Sequence, residues 1–245
     1  MAENVLVIAA HPDDEVLGCG GTITQLSQQG HHVYIAILGE GVTSRYDQRE
    51  QADPDQLKTL HDCSYQAGAM MGAKELFLYE LPDNRFDTVP LLDIIKIIEE
   101  LVSRLQPSVV FTQHGGDLNV DHTITYRATL TATRPMEGFP VAEVYGYEVA
   151  SSTEWAFQQF EPLFRPNVFV DIDHTLETKI KAMQHYESEA RPFPHPRAPE
   201  ALRAIAQRWG SAAGLQAAEA FALIRAVYGD SQTGLSQLLS EKGNA

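Results

Sequence analysis

The chain has 245 residues, of which 44% are hydrophobic and 21% charged, which is enough for one sizeable core and too apolar for a disordered chain. Its 18 Lys and Arg against 33 Asp and Glu give a net charge of −15, which repels phosphate backbones and anionic membrane surfaces. The apolar runs are far shorter than the roughly 20 residues that a membrane helix needs, and the N-terminus lacks the basic segment of a signal peptide. We therefore expect a cytoplasmic protein with no nucleic-acid and no membrane partner.

Short β-rich runs alternate with helical patterns through the first half of the chain. We expect strands at residues 5–10, 32–38, 75–81 and 109–112. Four helical patterns accompany these strands. The first ends near residue 30, the second covers about residues 55–71, the third lies between Pro90 and Pro107, and the fourth covers about residues 121–133. This alternation indicates βαβ units, so the sequence predicts an α/β fold with a doubly wound, mostly parallel sheet and helices on both faces.

The pattern is less regular after residue 140. Residues 141–149 and 167–172 are typical of strands, residues 176–186 and about 199–210 are typical of helices, and residues 217–228 form an apolar segment. Residues 191–197 contain too much proline for regular structure. Because no repeat or linker divides the chain, we predict a single domain over residues 1–230 and a polar, frayed tail over residues 231–245.

One imidazole and three carboxylates directly follow the first predicted strand. They belong to the segment His11-Pro12-Asp13-Asp14-Glu15. In a parallel sheet, ligands bind beyond the carboxyl ends of the strands, near the point where the strand order reverses. One of these side chains could simply cap the next helix, but a cap needs one such group and not four. The segment is therefore a candidate for a functional site.

A second polar segment follows the fourth predicted strand. It reads Gln113-His114-Gly115-Gly116-Asp117-Leu118-Asn119-Val120-Asp121-His122. In the strand order 3-2-1-4-5-6, the fourth strand lies beside the first, so the two segments would face one crevice. Together they offer the imidazole and carboxylate donors that zinc accepts, whereas two cysteines are too few for a Cys-rich zinc site. Helix capping beside a solvated loop remains the alternative interpretation of the second segment taken alone.

At these two segments the sequence resembles a known family. The first segment, with Gly18-Cys19-Gly20-Gly21 behind it, is similar to the signature of the LmbE-like, or PIG-L, zinc-dependent de-N-acetylases. Residues 116–122 resemble the second motif of that family, and the similarity extends to residues 217–221. The resemblance implies a Rossmann-like fold, one Zn²⁺ per chain, and hydrolysis of the acetamide of an N-acetylated amino sugar or glycoconjugate of the GlcNAc type.

The resemblance also implies roles for individual residues. Carried over position by position, His11, Asp14 and His122 match the zinc ligands and Asp13 matches the general base. Two histidines and one carboxylate leave a fourth zinc position open for water, as in catalytic zinc sites. Asp121 would orient His122 or a neighbouring group from behind the ligands.

The acid that protonates the departing amine is less directly indicated. Asn119 stands where many members of the family have a histidine, and an amide supplies no proton at neutral pH. Asn119 is therefore expected to act only through hydrogen bonds, and His195 of the proline-rich segment is our candidate for the acid. A surface imidazole is the alternative for His195, and His114 is a weaker candidate. In some relatives such a histidine comes from a neighbouring subunit, and the resemblance suggests a homo-oligomer, either a trimer or a hexamer.

Substrate contacts are expected from the loops after the second and third strands, which open onto the same crevice. Arg45, Asn84 and Asp87 are candidates for binding sugar hydroxyls or anions, although ordinary turn chemistry explains each of them equally well.

Two other classes of function remain as alternatives. A dinucleotide-binding oxidoreductase is suggested by the fold and by the glycines at 18–21, but a phosphate-binding glycine turn directly follows the first strand, where this chain has carboxylates. The second alternative is a carbohydrate-binding protein that has lost its activity. The sequence does not favour it, because the four residues that match the zinc ligands and the general base of the family are all present. Zinc analysis of the purified protein separates these alternatives from the deacetylase.

Overall fold

A seven-stranded sheet forms the centre of the molecule in the computed structural model, which describes residues 2–46, 48–228 and 233–240. The strands are β1 (Asn4–Ala9), β2 (His32–Gly39), β3 (Glu75–Leu81), β4 (Val109–Gln113), β5 (Glu143–Tyr147), β6 (Val168–Asp171) and β7 (Ala218–Ala226). Their order across the sheet is β3-β2-β1-β4-β5-β7-β6. Strands β1 to β5 are parallel, whereas β7 is antiparallel to both β5 and β6. The predicted doubly wound, mostly parallel α/β fold in a single domain is confirmed.

Helices cover both faces of this sheet. They are α1 (Asp14–Gln28), α2 (Pro54–Met70), α3 (Leu91–Leu105), α4 (Val120–Ala132), α5 (Leu176–His185), α6 (Pro199–Ala213) and α7 (Leu235–Ser240). The buried side chains of α3 and α4 belong to one hydrophobic core, and those of the other helices belong to a second core on the opposite face. Among the described residues, no helix is both long enough and apolar enough to cross a membrane.

Part of the predicted frayed tail is ordered, which corrects the sequence-based expectation for residues 235–240. These residues form α7, and Leu235 and Leu238 are buried against the core, since their spacing of three places both on one face of the helix. Residues 231, 232 and 241–245 of that predicted tail lie outside the described part of the chain.

The central strand β1 is apolar from Val5 to Ala9 because the two cores meet on it. Val5 and Val7 belong to the core beneath α1, whereas Leu6 and Ile8 belong to the core beneath α3, as the alternation of side chains along a strand requires. β1 pairs with β2 on one side and with β4 on the other. The strand order therefore reverses beside β1, and the crevice for a ligand opens at its carboxyl end.

Two close contacts fix α1 above the sheet. A Cβ on Gly18 would lie 2.1 Å from the Tyr147 ring, so the glycine allows the helix to approach β5. The Glu219 carboxylate of β7 accepts hydrogen bonds from the backbone N–H of Gly21 at 2.9 Å and from Lys179 Nζ at 2.6 Å. These contacts hold the N-terminus of α1, and with it the polar segment that follows β1, over the carboxyl edge of the sheet.

Candidate metal centre

The three predicted zinc ligands lie together at the carboxyl ends of β1 and β4. His11 and Asp14 come from the junction of β1 with α1, and His122 comes from the first turn of α4. Asp14 Oδ2 is 3.2 Å from His122 Nε2 and 3.5 Å from His11 Nδ1, and the two ring nitrogens are 3.3 Å apart. Asp14 and His122 are buried and His11 is half-buried.

These distances fit a single tetrahedral metal ion. Donors that bind zinc at about 2.0–2.1 Å in tetrahedral geometry are separated from one another by roughly 3.3 Å. The three atoms of His11, Asp14 and His122 meet that separation within about 0.2 Å. Two imidazoles and one carboxylate are also a donor set of catalytic zinc sites, in which a fourth position stays open.

Asp121 holds the other ring nitrogen of His11. Its Oδ2 lies 2.9 Å from His11 Nε2, and its Oδ1 accepts a hydrogen bond from the backbone N–H of Phe86 at 2.9 Å. Because a carboxylate only accepts, Nε2 carries the proton and Nδ1 is left free to bind a metal. The sequence left open whether Asp121 contacts His122 or a neighbouring group. In the structure its hydrogen-bond partner is the neighbouring His11 and not His122. Asp83 Oδ1 also lies near this nitrogen, at 3.4 Å.

The corresponding partner of His122 is Asp117, to which sequence reasoning had assigned no role. Asp117 Oδ2 lies 3.3 Å from His122 Nδ1. The Asp117 carboxylate is itself held by the Thr153 hydroxyl at 2.7 Å, by the Ser152 hydroxyl and by the backbone N–H of Asn119 at 3.1 Å. Both histidines thus have a buried carboxylate behind them, and the hydrogen bond to Asp121 orients the His11 ring.

The cluster has an excess of buried negative charge. Burial lowers the pKa of His122, but Asp14 and Asp117 raise it by more, to about 9. Burial likewise lowers the pKa of His11, and Asp121 and Asp14 raise it well above the usual range. The carboxylates thus favour positive charge on both rings, which a divalent cation can supply when it displaces the protons.

Asp13 sits beside the metal ligands in a strained backbone conformation. Its φ of 106° is rare for a residue with a side chain, and its backbone N–H donates to Glu15 Oε2 at 3.1 Å. Glu15 is in turn held by the Tyr186 hydroxyl at 2.6 Å. Asp13 Oδ2 lies 2.5 Å from Arg197 Nη1, and burial raises the pKa of Asp13 despite the opposing effect of that guanidinium.

The proline-rich loop reaches the site through Arg197. The His195 ring packs instead against Trp155, with ring centres 5.4 Å apart, and its Nδ1 accepts the backbone N–H of Arg197 at 3.2 Å. Of the described residues, Arg197 lines the cavity beside the metal ligands, whereas His195 does not. The role of His195 as the acid stays a prediction, and the cavity lining favours Asp13 as the alternative for that step. His114, the weaker candidate, is buried with its ring 5.1 Å from that of Phe164.

A polar cavity of about 220 Å³ opens above His11 and Asp13. Two of the three predicted substrate contacts, Arg45 and Asn84, line it. The third, Asp87, is exposed and does not line this cavity, and the buried Asp83 lines it instead. The role of Asp87 in binding substrate stays a prediction. Asp83 lies four residues earlier in the same loop, and its burial distinguishes it from Asp87.

Asn119 links the polar cavity to α4, the helix that carries His122. Its side-chain oxygen caps α4 by accepting the backbone N–H of Asp121 at 2.9 Å, and its Nδ2 donates to Asn84 Oδ1 at 2.9 Å. Asn119 thus makes hydrogen bonds on both sides, and its expected role in the site stays a prediction.

The fold and the site together define a doubly wound α/β domain with a His₂-Asp group that could hold a metal ion at the switch point of its sheet. The family of GlcNAc-PI de-N-acetylases, PIG-L, matches residues 6–133, which is more than half of the chain. The chain belongs to this family.

Individual proteins resemble the chain over most of its length. A probable N-acetyl-alpha-D-glucosaminyl L-malate deacetylase 2 of Bacillus cereus is 28% identical over 200 residues, which are 77% of this chain and 84% of the relative. The structure of N,N′-diacetylchitobiose deacetylase from Pyrococcus horikoshii matches with a TM-score of 0.73 at 22% identity, covering 91% of this chain and 84% of the other. The structure of GalB, the 4-carboxy-2-hydroxymuconate hydratase of Pseudomonas putida, matches with a TM-score of 0.74 at 20% identity. The match covers 94% of this chain and 100% of GalB. The two structural similarities establish the fold alone, and the comparisons favour neither an oxidoreductase nor a non-catalytic binding protein.

Proposed function

We propose that the protein is a zinc-dependent N-deacetylase that removes the acetyl group of an N-acetylated amino sugar or glycoconjugate of the GlcNAc type. The observation that carries this proposal is the His11, Asp14 and His122 cluster, whose donor atoms have tetrahedral separations and stand beside the unliganded carboxylate of Asp13. Membership of the PIG-L family supports the reaction class.

Zinc held by these three side chains would acidify water, lowering its pKa toward ~7, and polarise the acetamide carbonyl. Asp13 accepts the proton from the attacking water, whose oxygen forms a bond to the carbonyl carbon. The C–N bond then breaks, and we propose that Asp13 returns its proton to the departing amine. This assignment uses a carboxylate that lines the cavity beside the metal ligands and needs no second acid in the same chain.

Arg197 positions Asp13 for both transfers. Its guanidinium binds Asp13 at 2.5 Å, the Ser151 hydroxyl at 2.9 Å and Glu189 at 3.4 Å. Because its three partners lie on different segments, the guanidinium is held in one orientation. It therefore holds the Asp13 carboxylate beside the metal ligands.

The other finer expectations belong to the same proposal. We infer one zinc per chain, and free Cys19 and Cys63 support a reducing compartment such as the cytoplasm. A homo-oligomer is proposed from the family resemblance, and size-exclusion chromatography with light scattering tests it.

The decisive experiment measures zinc per chain and free amine released from a panel of N-acetylated sugars and glycosides. Asp13→Asn should keep its zinc and lower kcat by about 10²–10⁴-fold, whereas His122→Ala should lose both zinc and turnover. Asp93→Asn, an exposed carboxylate on α3, is the matched control and should behave as wild type. A zinc-loaded protein that releases no amine from any panel member, or that instead hydrates an unsaturated carboxylic acid, would overturn the proposal.

A further inference from the structure

A second cavity lies next to the metal site, between α2 and the end of α5. It has a volume of about 480 Å³, against about 220 Å³ for the cavity beside the metal ligands. Val42 and Leu60 line both cavities, and Ser188 in the second is followed in the chain by Glu189 in the first. A ligand in the metal site can therefore extend over these two apolar side chains into the second cavity.

The volumes leave room for a substrate that uses both cavities. Sites that bury drug-sized ligands measure roughly 300–1,000 Å³, so the cavity beside the metal ligands is below this range, whereas the second cavity alone and the two together fall within it. The smaller cavity suits a single N-acetylated ring, and the remainder of a larger substrate would occupy the space beside α2.

The charges of the two cavities disfavour an anionic extension. Arg45 and Arg197 are the only Arg or Lys among the described residues that line either cavity. Both are already paired, Arg45 with Glu189 at 2.5 Å and Arg197 with Asp13 at 2.5 Å. The second cavity adds the carboxylates of Asp55 and Glu187. A phosphate or carboxylate placed there would meet like charges and no free cation.

The remaining polar side chains of the second cavity suit hydroxyl groups. Gln56 Oε1 accepts from the Tyr46 hydroxyl at 3.2 Å, and Gln66 Oε1 lies 3.0 Å from His185 Nδ1. With their oxygens engaged, the amide NH₂ groups remain as donors. The Thr59 hydroxyl donates to the backbone carbonyl of Asp55 at 2.7 Å, and its oxygen can still accept a hydrogen bond from a ligand.

We propose that this cavity, lined by α2 and the end of α5, binds a neutral, hydroxylated extension of the substrate, a second sugar ring linked to the N-acetylated one. The proposal rests on the proposed deacetylation and names the class of substrate that the site accepts: neutral di- or oligosaccharides in preference to monosaccharides and to sugars with an anionic group.

The first test compares amine release from three substrates by the zinc-loaded enzyme. They are N-acetylglucosamine, the neutral disaccharide N,N′-diacetylchitobiose and the anionic N-acetylglucosamine 1-phosphate. We expect kcat/KM for the disaccharide to exceed that for the monosaccharide by about tenfold or more, because contacts remote from the reacting bond contribute to turnover. The phosphate should be the poorest of the three. Equal values for all three, or a preference for the phosphate, would overturn the proposal.

A matched pair of variants locates the preference. Thr59→Trp fills the second cavity and should bring the ratio of the disaccharide to the monosaccharide kcat/KM close to one. Ser103→Trp adds the same bulk to an exposed position of α3, on the other face of the sheet, and should keep the wild-type ratio. If both variants keep it, the disaccharide binds elsewhere.

Cys63 gives a second measurement that does not depend on catalysis. Cys63 lines the cavity and is half-buried, whereas Cys19, the other cysteine, is fully buried. Chitobiose should slow alkylation of Cys63 by iodoacetamide, and inorganic phosphate should not. Protection of Cys63 without amine release from any substrate would reject the deacetylase and keep the sugar-binding cavity. Monosaccharide deacetylation without protection of Cys63 or a disaccharide preference would do the reverse.

Discussion

Replacing Asp121 by Asn should change the proton position on His11 while leaving the shape of the site intact. In the wild type, Asp121 Oδ1 accepts the backbone N–H of Phe86 and Oδ2 faces His11 Nε2, each at 2.9 Å. An Asn at this buried position must keep its oxygen toward Phe86, since an NH₂ group there would face another donor. Its NH₂ group would then donate to His11 Nε2, which forces the ring proton onto Nδ1.

Nδ1 is the atom that faces Asp14 and His122, so a proton there removes one of three protein ligands from the metal. Partners of this kind are worth about 10–100-fold in metal affinity. Since each factor of ten is about 1.4 kcal/mol, Asp121→Asn should weaken zinc binding by about 1.4–2.8 kcal/mol.

Two measurements test this reasoning. Competition with a chromophoric chelator gives the zinc Kd. ¹⁵N NMR of the metal-free protein, at a pH above the raised pKa of His11, reports which nitrogen of the neutral ring carries the proton. Asp93→Asn, with its carboxylate exposed on α3, serves as the control and should leave both unchanged. A zinc Kd for Asp121→Asn within threefold of wild type, with Nε2 still protonated, would refute the argument.

Three further variants test other parts of the molecule. Arg197→Ala should retain zinc and lower kcat by about 10–100-fold, because Asp13 loses its positioning partner; a wild-type kcat would exclude that role. His195→Ala should keep kcat within about threefold of wild type, and a large loss together with loss of the alkaline limb of the pH–rate profile would assign the acid to His195 instead. Burial raises the pKa of Glu148 from 4.5 to about 6, so the folded state binds this proton more tightly than the unfolded state. The contribution of Glu148 to the free energy of unfolding therefore falls as the pH rises between those values. The Glu148→Gln variant should therefore have the same free energy of unfolding as wild type below pH 4.5, and a higher one above pH 6 by up to about 2 kcal/mol. Denaturant titrations that give the same difference between variant and wild type at both pH values would contradict this expectation.

Local sequence determined the elements and the place of the site. The continuous apolar run of β1 and the helical spacing of apolar residues in α3 predict these elements because each pattern depends only on which faces of a segment are buried. His11 and Asp14 are three residues apart on one turn, and His122 follows a strand that lies beside β1 in the common doubly wound order. Their meeting therefore followed from the sequence before any contact was known.

The tertiary structure decided which groups support those ligands. Arg197 reaches Asp13 across 184 positions of sequence, and the choice between it and His195 depends on how an irregular loop packs. Likewise, the partner of Asp121, the role of Asp117 and the use of Asp83 depend on distances of about 3 Å between loops. Hydrophobic periodicity indicates which face of a helix or strand is buried, and this signal is summed over all residues of the element. Hydrogen bonds between loops depend on single side-chain positions that only the packed fold specifies.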